Sequence, residues 1–192
     1  TVASGRYGTV QCLQASLSQE WKRATNEASR QDAALAGGGQ WNDSGSHMLD
    51  IILWATGLKA SRVAAFCDNR GTPVDINSTL AIEFEGGAQG SICIAGDAPG
   101  WNEDITIWCE RAAFFMRQGK LMVWEENGTK YTFDQITGLG GPERNFARAV
   151  LGTEEVQAPF ECGLRVIELT EAAWRSAEKG GQAVAVADLA LS

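Results

Sequence analysis

His47 is the only histidine among 192 residues, so any imidazole acid–base chemistry in this chain must run through it. A helix beginning near Asn42 would place positions 43, 47, 50 and 54 on one side, giving a stripe of Asp43, His47, Asp50 and Trp54. Asp43 would then reach the imidazole from one turn away. A carboxylate beside an imidazole fixes its tautomer and favours the protonated ring, while a helix N-terminus favours the carboxylate anion. Such a pair suits proton transfer to or from a hydroxyl. The same spacing also fits a capping aspartate followed by a half-buried structural histidine, and spacing alone does not separate the two.

Other residue types with chemical potential are weaker signals. The run Gly37-Gly38-Gly39 leads into the same helix and resembles a phosphate cradle. It lacks the G-x-G-x-x-G spacing and a preceding hydrophobic strand, and the later string GLGGPERN fails the same test. The alternative is a turn in which the backbone passes close to the helix or a ligand. Trp21, Trp41 and Trp101 lie in polar surroundings, where an indole face either stacks on a sugar ring or anchors a loop. Trp21, flanked by Lys22 and Arg23, is the preferred sugar contact, with Trp41 beside the glycine run as a further candidate. Trp54 and Trp174 instead sit at helical core spacing.

Composition excludes several classes of partner. A net charge of -8, from 24 acidic and 16 basic residues, lacks the clustered Lys and Arg that a phosphate backbone requires, so no nucleic-acid partner is expected. The longest apolar run, 48–57, is interrupted by Asp50 and falls short of the roughly 20 residues that cross a bilayer. Five widely spaced cysteines (Cys12, Cys67, Cys93, Cys109, Cys162) without a C-x-x-C pair read as reduced thiols in a reducing, cytoplasmic setting, with no metal site.

The elements that must position His47 follow from the hydrophobic period. A strand over 8–17 precedes a loop over 18–30; then comes the helix of His47, with its N-cap at Asn42 or Asp43 and its stop at Gly57. From 61 to 133 short alternating runs are separated by turn residues, including Gly86-Gly87, Gly119 and Asn127-Gly128, and predict an antiparallel meander of at least six strands. Two helices follow: one opened by Pro142 and stopped by Gly152, another over 162–181 with Leu164, Ile167, Ala173, Trp174 and Ala177 on its apolar face. A last strand is predicted over 182–189. At this length one core and one domain are expected, of α+β class, with helices packed on one face of the sheet.

The two sheet faces differ in a way that bears on partners. Leu80, Ile82, Phe84, Ile92, Ile94, Ile105, Ile107, Leu121 and Val123 form an aliphatic face for the helices to cover. The opposite face carries Trp108, Met122 and Trp124 among Ala81, Cys93, Ala95, Thr106, Glu83 and Ser91. Solvated faces rarely hold two tryptophans and a methionine, so a second buried contact is expected there, with another subunit favoured over an internal layer.

The strings GGGQWNDSGSHMLDIILWATG, FEGGAQGSICIAGD and GLRVIELTEAAWRSAEKGG together resemble the C-terminal domain of the Gfo/Idh/MocA oxidoreductases, the glucose-fructose oxidoreductase and inositol dehydrogenase family. The family pattern of a glycine run and then D-x-G-x-H-x-x-D is matched by Asp43, Gly45, His47 and Asp50 without a gap. The resemblance implies an open-faced, predominantly antiparallel mixed sheet that closes over substrate. It further implies an N-terminal Rossmann domain, absent from residues 1–192, that binds NAD or NADP, and subunits paired through the exposed sheet face. It makes His47 the acid–base partner and Asp43 its orienter and a ligand to a substrate hydroxyl, in an enzyme acting on a carbinol of a sugar or polyol. Asp50 is then structural. The family's E-K-P motif does not occur here, so this chain by itself is expected to be inactive. Two alternatives remain: a catalytically silent oligomerisation domain, and a sugar lyase or hydrolase that uses its nicotinamide transiently.

Overall fold

Side chains two residues apart share one face of a pleated strand, so short alternating runs bounded by glycine form strands rather than helices. In the computed structural model, which describes residues 2–26, 29–133 and 141–186, those runs assemble into one nine-stranded sheet. The strands are β1 (Val10–Ser18), β2 (Ala60–Asp68), β3 (Asn77–Phe84), β4 (Gln89–Ala95), β5 (Asn102–Cys109), β6 (Ala112–Arg117), β7 (Lys120–Glu125), β8 (Lys130–Phe133) and β9 (Val184–Ala185). The helices are α1 (Trp21–Ala24), α2 (Ala33–Ala36), α3 (Ser46–Thr56), α4 (Pro142–Val150) and α5 (Phe160–Glu178). Residues 187–189 of the expected last strand lie outside the described residues.

The strand order is β8-β7-β6-β5-β1-β4-β3-β2-β9. This corrects the expectation of an unbroken meander. β1 inserts between β4 and β5, running parallel to β4 and antiparallel to β5. Parallel neighbours need a long crossover, and the segment that makes it carries α1, α2 and α3 along with β2 and β3. The predicted hairpin glycines adopt the left-handed backbone their turns require, with φ of 77° at Gly119 and 85° at Gly128.

One face of the sheet is covered. Leu13, Ala15 and Leu17 of β1 join Leu80, Ile82, Ile92 and Ile94 in a single buried cluster with Leu49 and Ile52 of α3 and Leu169 and Ala173 of α5. The buried stripe of α5 differs from the one expected. Leu164 and Ile167 are 37% and 46% exposed, whereas Val166, Leu169, Ala172, Ala173 and Ser176 face the sheet. Small residues let the helix approach β2 closely enough for the Ser176 hydroxyl to accept the Ala65 N–H at 2.8 Å and donate to the Gln182 carbonyl at 2.6 Å. Trp54 also departs from its expected core position: it is 56% exposed, and its indole N–H donates to the Gln157 carbonyl at 2.8 Å. α4 starts at Pro142 and is followed by Gly152 with φ of 69°, as its punctuation predicts.

The second face is open in the single chain. β3 and β4 alternate strictly between buried and exposed positions. On the β5–β8 half of this face Trp124 is 44% exposed, while Trp108 and Met122 are half-buried. Phe115 packs on Trp124 with ring centroids 4.6 Å apart, and the Lys130 ammonium lies 4.4 Å over the Trp124 ring.

Candidate functional site

The site is organised where the glycine run enters α3. Gly39 has no room for a side chain, since a Cβ there would fall 2.0 Å from the Asp75 carbonyl oxygen. A Cβ on Gly38 would meet the Trp174 indole at 2.4 Å. Of the two readings of this run, the close approach to other protein is the one realised, and its nearest neighbours are Asp75 and Trp174. The other side of Gly38 and Gly39 lines a small cavity of about 270 Å³ with Arg30, Asn42, Asp43 and His47, and the run lacks the G-x-G-x-x-G spacing of a dinucleotide site.

Asp75 holds the turn in place. Its 7% exposed carboxylate accepts the N–H of Gly39 at 3.1 Å, the N–H of Trp41 at 2.8 Å and the indole N–H of Trp174 at 3.1 Å. Its own backbone carbonyl accepts Gln40 N–H at 2.9 Å. A helix start leaves N–H groups unpaired, and this remote carboxylate satisfies them in place of the expected cap at Asn42 or Asp43. The first turn, Trp41–Gly45, is a π-helical turn in which Gly45 N–H reaches Gln40 O at 3.0 Å, and α3 proper begins at Ser46.

That wider turn changes the expected pairing. Residues four apart no longer stack across an i to i+5 turn, and no hydrogen bond joins Asp43 to His47 among the described residues. The Asp43 carboxylate instead accepts the Trp21 indole N–H at 2.7 Å and lies 3.5 Å from the Arg30 guanidinium. Asp43 therefore does not orient the imidazole directly, although the two side chains line the same cavity. His47 is exposed and has no hydrogen-bond or ion-pair partner among the described residues. Its ring is available to a ligand.

The cavity beside His47 encloses about 500 Å³ and is bounded by α1, β1, the start of α3 and the β4–β5 connection. Glu20, Arg30, Ser44, Trp101 and Glu103 line it with Asp43 and His47. The other sugar-contact candidates are placed differently from expectation. Trp21 is only 3% exposed and begins α1 rather than lying in a loop, so it is an anchor whose edge forms part of the cavity wall. Trp41 is 1% exposed beneath Gly45 and cannot offer a face to a sugar. Lys22 turns away to Asp97 at 3.4 Å, and Arg23 pairs with Glu20 at 2.9 Å. The cation that faces the cavity is Arg30, and the exposed indole at its mouth is Trp101, 65% exposed. Arg30, Glu103 and Asp75 carried no sequence signal, because each comes from a segment remote from the motif and arrives through the crossover topology.

The role of Trp21 can be tested without emptying its pocket. Trp21→Phe keeps an aromatic ring but removes the donor to Asp43. The expected result, read by urea unfolding, is a stability loss of about 1.5–3 kcal/mol, the range for a hydrogen bond to a charged group. A loss under about 0.5 kcal/mol would show that Asp43 does not depend on the indole.

A larger groove of about 790 Å³ opens over the β5–β8 half of the covered face, lined by side chains such as Trp54, Ile107, Phe114 and Leu121. Size does not make it the chemical site. Its ionisable groups gather around Tyr7, whose hydroxyl donates to Glu125 Oε1 at 2.9 Å, and that bond raises the phenol above its ordinary pKa. His47 is not among its walls. Among the described residues no group of His, Cys, Asp and Glu is arranged to hold a metal, and no helix is long and apolar enough to cross a membrane.

Comparison with solved structures supports the architecture. Levoglucosan dehydrogenase, solved in complex with NADH and levoglucosan, superimposes with a TM-score of 0.82 at 20% identity over 95% of this chain and 60% of its own. An oxidoreductase domain protein from Kribbella flavida gives 0.81 at 21% over 96% and 60%, and an oxidoreductase from Sinorhizobium meliloti gives 0.75 at 19% over 94% and 58%. This chain thus spans about three fifths of each of these structures. Identities this low establish the fold alone. No curated protein matches the sequence. The family model for the GFO/IDH/MocA C-terminal domain matches residues 1–115, more than half of the chain, and the chain belongs to that family.

Proposed function

We propose that this chain is the substrate-binding part of an NAD(P)-dependent oxidoreductase acting on a carbinol of a sugar, polyol or related compound, with His47 as the acid–base group. The observation that carries this reading is an exposed imidazole, without a hydrogen-bond or ion-pair partner among the described residues, on the wall of a cavity of about 500 Å³ that also presents Asp43, Arg30 and Glu103. The neighbour solved with NADH binds levoglucosan in one complex and L-sorbose in another, which supports a sugar-like substrate. The cofactor is assigned to a nucleotide-binding domain joined to this chain, because no G-x-G-x-x-G run occurs in residues 1–192. When bound, the nicotinamide supplies the hydride acceptor.

The residues of this chain prepare the alcohol. His47 takes the hydroxyl proton onto a ring nitrogen during oxidation and returns it during reduction. Asp43, held by Trp21 and Arg30, accepts a hydrogen bond from a second hydroxyl and so fixes the orientation of the substrate, not of the imidazole. A reducing, cytoplasmic setting accords with five free thiols. The test is the full-length protein with NAD or NADP and a panel of sugars and polyols: nicotinamide reduction dependent on one of them is expected. Product formation without net reduction would point to lyase or hydrolase chemistry, and no turnover to a silent domain.

Pairing of subunits through the open sheet face is the second part of the proposal, supported by the layered Phe115, Trp124 and Lys130. Cys12 and Cys93 are exposed on that face, so a paired protein should protect them from alkylation and a diluted or Trp124→Glu protein should expose them. Cys67 and Cys109 react slowly in either state, because burial raises their thiol pKa and the thiolate is the nucleophile. Equal labelling of Cys12 and Cys93 across these samples, with a monomer in sedimentation, would rule this interface out.

A further inference from the structure

The geometry points to Glu103 as a substrate-contacting carboxylate that biases the site toward neutral or amino-bearing polyols and against carboxylated ones; this rests on reading the His47 cavity as the substrate site. Glu103 pairs with Leu17 in the β1–β5 register, and directly opposed residues in an antiparallel pair project to the same face. That face is the covered one, where Leu17 is 2% and Ile105 4% exposed. A carboxylate in an otherwise aliphatic row is the informative exception on a buried face. Its neighbour Asp104, opposite Ser16, is tied by Asn102 at 3.2 Å and approached by Arg117 at 3.8 Å. Glu103 has no hydrogen-bond or ion-pair partner among the described residues, is half-buried, and lines the cavity with His47.

The other charges of the cavity are already matched. Glu20 pairs with Arg23 at 2.9 Å, and Asp43 lies 3.5 Å from Arg30. The unbalanced charge is therefore that of Glu103, which lines the cavity together with His47 and the exposed Trp101 plate. A carboxylate with open acceptor positions takes a hydrogen bond from a hydroxyl and a stronger one from an ammonium group, and repels a second carboxylate. Trp101 supplies the apolar surface on which the C–H face of a sugar ring can lie.

The full-length protein and its Glu103→Gln variant would be titrated with glucose, glucosamine and glucuronate. Two readouts serve: the NMR signal of the sole imidazole, and nicotinamide reduction. The unsubstituted protein should bind glucuronate about 10-fold or more weakly than glucosamine, and Glu103→Gln should close that gap to within a few-fold by weakening glucosamine and strengthening glucuronate, the size expected of one charged hydrogen bond. Equal binding of the three, an order unchanged by the substitution, or no binding of any would overturn the inference. The expected order with no hydride transfer to either nicotinamide would leave it standing and remove the dehydrogenase reading.

Discussion

His47→Ala in the full-length protein is expected to lower kcat by about 10²–10⁴-fold, the range for loss of a positioned general acid–base group. kcat/KM should fall with it, because the proton moves only in the transition state. The fold should not change: His47 is exposed and outside the buried cluster, so its removal should alter stability by less than about 0.5 kcal/mol. His47→Gln separates size from chemistry, since an amide can hydrogen-bond a hydroxyl but does not exchange its proton near neutral pH. It should retain sugar binding while turning over as slowly as the alanine variant. Near-normal kcat in either variant would mean that another group takes the hydroxyl proton, and Asp43 would be the first to examine.

How far this site was readable beforehand depended on distance along the chain. The strands, the hairpin glycines, the stop at Gly57 and the helices opened by Pro142 and closed near Gly180 are local events, set by residues within a turn of one another. They appear where the sequence puts them. The motif around His47 was legible for the same reason. The insertion of β1 between β4 and β5 is a long-range event, and it carries Glu103 to the cavity through its pairing with Leu17. The π turn at Trp41–Gly45 was equally hidden, because it depends on Asp75, 34 residues from Trp41. One consequence is that Asp43 and His47 share a cavity wall without the direct contact that the helical spacing predicts. The flanks of a tryptophan do not report its burial: Trp41 has polar neighbours and is a core residue, and Trp54 has apolar neighbours and is exposed.

Asp75→Ala is expected to lower stability by about 3–5 kcal/mol, although Asp75 neither contacts the cavity nor belongs to the motif. The substitution removes the acceptor for Gly39 N–H, Trp41 N–H and the Trp174 indole N–H together, in surroundings from which water is largely excluded. Each donor left unpaired there bears a desolvation cost with no return. For a chain of this length the change corresponds to a melting temperature lower by roughly 10 °C. Asp75→Asn keeps one carbonyl acceptor and should fall between the two. Gly39→Ala attacks the same junction from the other side: a Cβ 2.0 Å from the Asp75 carbonyl oxygen must push the two backbones apart, at about 1–3 kcal/mol. Because the junction aims the first turn of α3, both variants should also lower kcat at temperatures where they remain folded, and the Asn variant should recover part of it. A pair of variants with normal melting temperatures would show that the helix start is held elsewhere. Lowered stability with unchanged kcat would show instead that Asp75 supports the fold and has no part in positioning His47.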